Sequence, residues 1–246
     1  MGLLIILPAA LVLAALLWAF LPTCYYKFFR SNALPQAKHE IALSFDDGPD
    51  ARYTPQLLDL LRAEDVRASF FVSGAAAAAQ PQLIQRMRDE EHSVGLHGYS
   101  HANNWLLGPR AAARELENGL ATLRGLGVEP ACYRPPYGNI TPLTLLLTRR
   151  HGLRLTLWTV MAQDWRGDAA ADILARLRRR TKAGSVICLH DGCAGAAVPD
   201  SAAATLQALR IFLPEMKTAG YRFVTLADLA GAETTRQRTE VRYGNA

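Results

Sequence analysis

The hydrophobic pattern of the chain alternates between two periods. Short apolar runs that predict β-strands lie at 41–45, 66–72, 131–134, 153–160, 185–190 and 221–226. Between them, apolar residues recur every three or four positions and predict helices at 55–63, 81–91, 108–126, 141–151, 170–181 and 201–219. The alanine-rich stretch 75–79 fits either a helix or a variable loop. Strands that alternate with helices predict an α/β fold with a parallel sheet.

The first residues follow a different pattern. Residues 2–21 are uncharged and long enough to span a bilayer, and aromatic and basic residues follow at 25–30, as at a headgroup interface. The run lacks a basic n-region and a small-x-small cleavage site, so we predict an uncleaved single-pass anchor rather than a signal peptide. The predicted units are an anchor with its linker (1–36), a globular domain (37–230) and a disordered polar tail (231–246).

Two adjacent carboxylates, Asp46 and Asp47, end the first predicted strand in the segment SFDDGP (44–49). On an extended backbone successive side chains project to opposite faces, so one carboxylate can face a metal ion and the other a reacting water. Alone, this segment is more typical of a solvated acidic turn. A site is expected only if partners lie elsewhere in the chain.

Two histidines, His97 and His101, follow in HGYSH (97–101). Four residues apart, they would share one face of a helical turn and could bind one metal ion, with Asp46 or Asp47 as third ligand. Such a set leaves coordination positions for water and substrate, as in hydrolytic metal centres. Gly98 excludes the zinc-protease pattern HExxH, because it stands where the glutamate would be.

Two further predicted strands end in polar residues. In CYRPPYG (132–138) the prolines lack N–H groups, so the next free amide is that of Tyr137, which could donate to a developing oxyanion. Arg134 in the same segment could hold a carboxylate ionised, although a proline turn with a surface arginine is the plainer alternative. His190 ends the apolar run of SVICLHDG (185–192), where it could be a general acid or base, or a structural histidine.

The segments SFDDGP, HGYSH, RPPYG, QDW and LHD occur in the order and approximate spacing of the five motifs of the polysaccharide deacetylases. This NodB-homology group is also known as carbohydrate esterase family 4. The resemblance covers residues 39 to 229 and implies a distorted, incomplete TIM-like (β/α) barrel with the motifs at its carboxyl-end rim. It also implies a metal-dependent hydrolase that removes an N-acetyl or other small N-acyl group from an amino sugar.

The resemblance implies a role for each motif residue. Those expected to act in catalysis are Asp46 as general base, Arg134 as its cationic partner, Tyr137 as oxyanion donor, His190 as general acid, and Asp164 as the residue that orients His190. The metal ligands implied are Asp47, His97 and His101, with zinc favoured and cobalt, nickel or manganese left open. The substrate-binding residues implied are Leu189, which would line the pocket of the acyl methyl group, Trp165 and Pro136.

One position departs from the family pattern. The fourth motif often has an aspartate three residues before the one that precedes tryptophan, and this chain has Met161 there. No catalytic role is assigned to this position. We therefore interpret the change as altered strand packing or subsite shape with activity retained.

Composition adds little to this picture. The 246 residues, half of them hydrophobic, suffice for one sizeable core, and the net charge of +5 suits contact with anionic lipid or polymer. No nucleic-acid motif is present, and the globular domain is expected to be monomeric. Of the cysteines, Cys132 and Cys188 are predicted as buried thiols, with a disulfide involving either one left open.

The side of the membrane stays open at this stage, and with it the substrate. Basic residues after the apolar run favour a cytoplasmic domain, whereas related envelope deacetylases act mostly outside the inner membrane. An outward domain favours peptidoglycan or another envelope polysaccharide, and a cytoplasmic one favours a sugar on a polyprenyl-phosphate carrier. A catalytically idle glycan-binding module is a further alternative, which the complete set of motif residues disfavours.

Overall fold

The computed structural model describes residues 12–35, 38–192, 198 and 200–227. The predicted tail 231–246 lies outside these residues, as does the first half of the predicted membrane anchor.

One parallel sheet forms the centre of the described molecule. Its strands are β1 Glu40–Asp46, β2 Ser69–Val72, β3 Ser93–Leu96, β4 Cys132–Tyr133, β5 Arg154–Leu155, β6 Val160–Met161, β7 Val186–His190 and β8 Arg222–Phe223. The strand order is β5-β4-β3-β2-β1-β7-β6, and β8 pairs in parallel with the first residues of β1. Each neighbouring pair is parallel, as the alternation of strands and helices predicts.

Helices connect the strands and pack against the outside of the sheet. They are α1 Thr54–Ala63, α2 Gly74–Ala79, α3 Pro81–Asp89, α4 Pro109–Gly125, α5 Pro142–Arg150, α6 Ala170–Arg180 and α7 Ser201–Thr218. The alanine-rich stretch is therefore a helix. Ser73 caps its N-terminus by accepting a hydrogen bond from the Ala76 N–H, which favours the helix over a loop.

Alternation along the strands separates a core from a polar interior. In β1, Ile41, Leu43 and Phe45 are fully buried among the helices, whereas Ser44 and Asp46 face the other side of the sheet. This second side is the concave interior of the curled sheet. Polar side chains that leave the strands at their carboxyl ends consequently meet above it.

Two strand predictions differ from the structure. Strand β3 was not predicted, because its sequence SVGL is short and contains Gly95, whose missing side chain lets the Phe71 ring approach closely. The run 153–160 was predicted as one strand but contains two. Strand β5 pairs with β4 at one edge of the sheet, and β6 pairs with β7 at the opposite edge, so the residues between them cross the opening of an incomplete barrel.

A helix precedes the sheet. Two π-helical turns, Leu16–Phe20 and Tyr25–Phe29, flank the α-helical turn Leu21–Cys24. The segment Val12–Phe29 is long and apolar enough to cross a membrane by length and composition, with a mean hydropathy of 1.4. Only 6% of it is buried against the rest of the chain, which a core helix would not show.

Candidate active site

Three side chains form a compact group at the carboxyl end of the sheet. The Oδ1 atom of Asp47 lies 3.0 Å from His101 Nε2 and 3.4 Å from His97 Nε2. One possible ligand atom from each of the three residues lies within 4.8 Å of the other two. The three predicted metal ligands therefore converge.

The backbone of the two histidines differs from the helical turn predicted from their spacing. The segment from His97 to His101 is a loop rather than a helical turn, with positive φ at Gly98 (82°) and His101 (60°). Glu115 of α4 holds the loop by accepting from the N–H groups of Tyr99 and Ser100, each at 2.9 Å. The histidines thus meet through turns in the backbone and not through helical spacing.

Asp47 also departs from the extended conformation assumed for it. Its φ is 78°, in the left-handed region, so strand alternation does not set the direction of its side chain. The left-handed turn aims the carboxylate at the two histidines directly after β1 ends at Asp46. The adjacent Gly192 leaves room for this turn, because a Cβ there would lie 2.9 Å from the carbonyl carbon of Asp47.

The donor set fits a divalent metal ion. The Nδ1 atom of His97 is 2.7 Å from the Arg134 carbonyl oxygen, which fixes the tautomer and leaves Nε2 as the ligand atom. Asp47 Oδ1 is buried without a hydrogen-bond partner among the described residues, as expected of a ligand oxygen. Burial alone would raise the pKa of Asp47, but the imidazoles of His101 and His97 beside its carboxylate outweigh the burial and lower that pKa.

Asp46 faces a different partner. Its Oδ1 atom is 2.5 Å from Nη1 of Arg134, whose side chain is 0% exposed. The same guanidinium donates to the carbonyl oxygens of Thr156 and Leu157, at 3.3 and 3.2 Å, in the segment that crosses the barrel opening. Arg134 thus neutralises the buried carboxylate and links β1 to the segment that crosses the barrel opening, which excludes a surface arginine on a proline turn.

His190 leaves β7 on the opposite wall of the site. Its Nδ1 atom is 2.9 Å from Oδ1 of the buried Asp164, and Thr205 donates to the other oxygen of that carboxylate at 2.9 Å. Burial opposes the charged imidazolium, but the neighbouring charge of Asp164 outweighs it and raises the pKa of His190 to about 9. A ring nitrogen of His190 and a carboxylate oxygen of Asp46 lie within 4.8 Å of each other.

These groups line one open cleft of about 320 Å³. Its walls are formed by Lys27, Asp46, Asp47, His97, His101, Tyr137, Trp158, Met161, Trp165 and His190. Tyr137 adopts a left-handed backbone with φ 59°, and its ring packs edge-on against His101 at 4.8 Å. Trp165 packs edge-on against His190 at 5.3 Å, on the predicted wall. Met161 reaches the cleft, which agrees with an effect on subsite shape.

Two predicted substrate-binding residues lie outside this lining. Leu189 is 0% exposed and belongs to the core between sheet and helices. Strand alternation turns it away from the interior, and its neighbour Cys188 faces inward instead, with Sγ 3.3 Å from Asp46 Oδ2. The role expected of Leu189 at the acyl methyl group is therefore not supported. Pro136 is buried at the start of the short turn Pro136–Gly138, behind the cleft surface.

Comparison with known proteins agrees with this geometry. A sequence model described as polysaccharide deacetylase matches residues 33–156. A peptidoglycan-N-acetylglucosamine deacetylase of Bacillus cereus is 34% identical over 205 residues, covering 83% of this chain and 72% of the relative. The chain belongs to the polysaccharide deacetylase family.

Other members of the family support the same assignment. A second peptidoglycan-N-acetylglucosamine deacetylase of Bacillus cereus is 33% identical over 80% of this chain and 90% of its own length. A chitooligosaccharide deacetylase of Sinorhizobium fredii is 32% identical over 74% of this chain and 87% of its own length. The crystal structure of the Bc1960 peptidoglycan N-acetylglucosamine deacetylase superposes with a TM-score of 0.74 at 33% identity, over 80% of this chain and 90% of that one.

Membership of this family fixes the fold and the reaction class. The fold is the curled, incomplete barrel expected from the motifs, and the deacetylase is a hydrolase of N-acetyl amide bonds in glycans. Enzymes of this family use a divalent metal ion, which agrees with the donor set of Asp47, His97 and His101.

Three residues in or directly beside the cleft of this deacetylase are not predicted as site residues from the sequence. The sequence predicts Cys188 only as a buried thiol, and the structure places this free thiol beside Asp46. Trp158 lines the cleft from the segment that was read as one strand. The sequence predicts Lys27 only as an interfacial residue of the anchor, because it lies more than a hundred positions before the loop that it contacts. Only the long-range fold brings Lys27 and Trp158 into the cleft and Cys188 against Asp46.

Proposed function

We propose that this deacetylase removes the N-acetyl group from N-acetylglucosamine units of a cell-envelope glycan. The observation that carries the proposal is the arrangement of Asp46 and His190, each paired with a charged partner, on two sides of the Asp47, His97 and His101 group. The relatives named as peptidoglycan-N-acetylglucosamine deacetylases support the choice of sugar. We assign the chain to the cell membrane through the helix Val12–Phe29.

In this proposal Asp47, His97 and His101 bind the divalent ion, with zinc as first choice for two imidazoles and a carboxylate. When bound, the ion would polarise the amide carbonyl and lower the pKa of a water molecule. The tautomer fixed by the Arg134 carbonyl and the partnerless Asp47 oxygen support this ligand set.

Asp46 and His190 divide the proton transfers. Asp46, paired with Arg134, accepts a proton from the attacking water. His190 donates a proton to the departing nitrogen, because an amine anion is a very poor leaving group. A pKa of about 9 keeps His190 protonated at neutral pH, which this step requires. The Tyr137 N–H is the donor proposed for the developing oxyanion.

One catalytic substitution, at His190, tests the proposal against an idle binding module. Purified full-length protein, loaded with zinc, should release acetate from N-acetylglucosamine oligomers. His190→Ala should reduce amide hydrolysis by two to four orders of magnitude, roughly the contribution of a general acid. It should reduce hydrolysis of an activated acetyl ester much less, since an activated ester has a leaving group that needs no protonation. Loss of both reactions with retained thermal stability would refute the role of His190 as the acid.

A further inference from the structure

The end of the N-terminal helix is attached to the loop that carries Tyr137. The Thr23 hydroxyl is buried and bonds to both backbone groups of Ile140, donating to its carbonyl oxygen at 3.0 Å and accepting from its N–H at 2.9 Å. Trp105 Nε1 donates to the same hydroxyl at 3.0 Å. A membrane anchor on a flexible linker would make no such contacts. The helix is therefore a fixed part of the catalytic domain.

One turn further along this helix, Lys27 enters the active-site cleft. Its Nζ atom donates to the Tyr137 carbonyl oxygen at 2.9 Å and lies 6.0 Å from the centroid of a Trp158 ring. The side chain lines the cleft together with Asp46, Asp47 and His190. It fills the space beside Gly138, where a Cβ would lie 2.9 Å from Lys27 Cε.

The Lys27 ammonium group has N–H donors that are not used within the described residues. It carries three N–H donors, and only the bond to Tyr137 is formed within the described part of the chain. No described carboxylate lies within 4.0 Å of it, whereas Arg134 and His190 at the site each contact a carboxylate. A cation in a cleft wall with two open donors is suited to an anionic group of a ligand.

The surface around this helix end is apolar. Phe28 and Phe29 are 76% and 80% exposed, and Leu106, next to the Trp105 that holds Thr23, is 82% exposed. Aromatic and aliphatic side chains at the end of a membrane helix are typical of the headgroup interface. The cleft wall formed by Lys27 consequently lies next to the membrane surface.

We propose that Lys27 is a specificity-determining residue that binds an anionic group, a phosphate or a carboxylate, on a glycan held at the membrane. This inference rests on the proposed deacetylase function and adds its substrate class. The two sources of the anion are the phosphate of a lipid-linked amino sugar and a carboxylate carried by the glycan itself. Either one would place the N-acetyl group of a neighbouring sugar over Asp46 and His190.

The test compares three substrates with the full-length protein in one mixed-micelle buffer. They are N-acetylglucosamine linked through pyrophosphate to a polyprenyl chain, a soluble peptidoglycan fragment with free carboxylates, and neutral N-acetylglucosamine oligomers. Lys27→Met keeps side-chain length and removes the charge, and Lys27→Arg keeps the charge. Lys38→Met removes an exposed charge from the same stretch of chain without touching the cleft. The readout is kcat/KM on each anionic substrate divided by kcat/KM on the neutral oligomers.

For the wild type this ratio should exceed one and fall with added salt. Lys27→Met should lower it about tenfold to a hundredfold through KM, as expected for a lost hydrogen bond to a charged group, while Lys27→Arg restores most of it. The anionic substrate whose kcat/KM ratio falls in Lys27→Met is the one whose phosphate or carboxylate binds Lys27. Lys38→Met should leave the ratio unchanged.

Three results would overturn the inference. An equal loss on all three substrates would make Lys27 only a support for the Tyr137 loop. An unchanged ratio in a stable Lys27→Met protein would remove it from specificity altogether. A wild type that is inactive on every substrate with added metal would defeat the proposed function itself, and the inference with it.

Discussion

Replacing Asp164 by Asn should shift the pH dependence of the rate of this deacetylase to lower pH. The carboxylate stabilises the His190 imidazolium, with its oxygen 2.9 Å from Nδ1, and raises the pKa of His190 from 6.5 to about 9. Asparagine keeps the volume and removes the charge, so this pKa should fall to 6.5 or below, since burial favours the neutral ring. The acid must be protonated, so the alkaline limb of the rate profile should move to lower pH.

The size of the effect follows from the two pKa values. At about pH 8, a group with a pKa near 9 is roughly 90% protonated, and one with a pKa of 6.5 is about 3% protonated. Asp164→Asn should therefore lose roughly thirtyfold in rate at about pH 8 from protonation alone. At about pH 6 the loss from the same cause is only about 1.3-fold, because both groups are then largely protonated.

The assay is acetate release from N-acetylglucosamine oligomers, with kcat/KM measured from about pH 5 to 10. Asp168→Asn is the matched control, because Asp168 pairs with Arg176 at 2.7 Å and makes no contact with His190 within the described residues. Its profile should follow the wild type. An Asp164→Asn profile that is lower by the same factor at every pH would show that Asp164 positions His190 without raising its pKa.

Three more predictions concern the other parts of the site. Arg134→Met leaves the Asp46 carboxylate buried and unpaired, so urea unfolding should show a loss of about 3–5 kcal/mol, and adding Asp46→Asn should restore part of it. A loss below about 1 kcal/mol would contradict this pairing. Gly192→Ala would place a Cβ 2.9 Å from the backbone of Asp47 and should lower acetate release tenfold or more, whereas Gly125→Ala, with no atom within 4 Å, should keep it. Zinc should raise the melting temperature of the wild type in a calorimetric scan and leave that of Asp47→Asn unchanged, because only the intact ligand set binds the ion; an equal rise in both would remove Asp47 from the ligands.

Much of the fold was predictable because each element carries its own local pattern. Helix α4, predicted at 108–126, is Pro109–Gly125, and strand β7, predicted at 185–190, is Val186–His190. The site residues lie where these strands end. Since parallel strands end at the same edge of a sheet, the order of elements already predicts that Asp46 and His190 share a cleft.

The remaining errors arise where local pattern does not set direction. His97 and His101 are four residues apart, but a loop with positive φ angles brings them together, and spacing alone does not distinguish this loop from a helical turn. Leu189 and Cys188 are neighbours on one strand, and only the register of β7 against β1 determines which of them faces Asp46. Lys27 reaches the cleft through contacts across more than a hundred residues of sequence, for which no local signal exists.

We propose that this cleft hydrolyses N-acetyl groups with Asp46 as its general base. The most direct measurement is the mass spectrum of N-acetylglucosamine oligomers after incubation with zinc-loaded full-length protein, wild type and Asp46→Asn side by side. The wild type should remove acetyl groups. Asp46→Asn should bind zinc, since its ligands are intact, and leave the oligomers at their starting mass. Equal loss of acetyl groups with both proteins would exclude Asp46 as the base, and no loss with either would exclude the deacetylase activity.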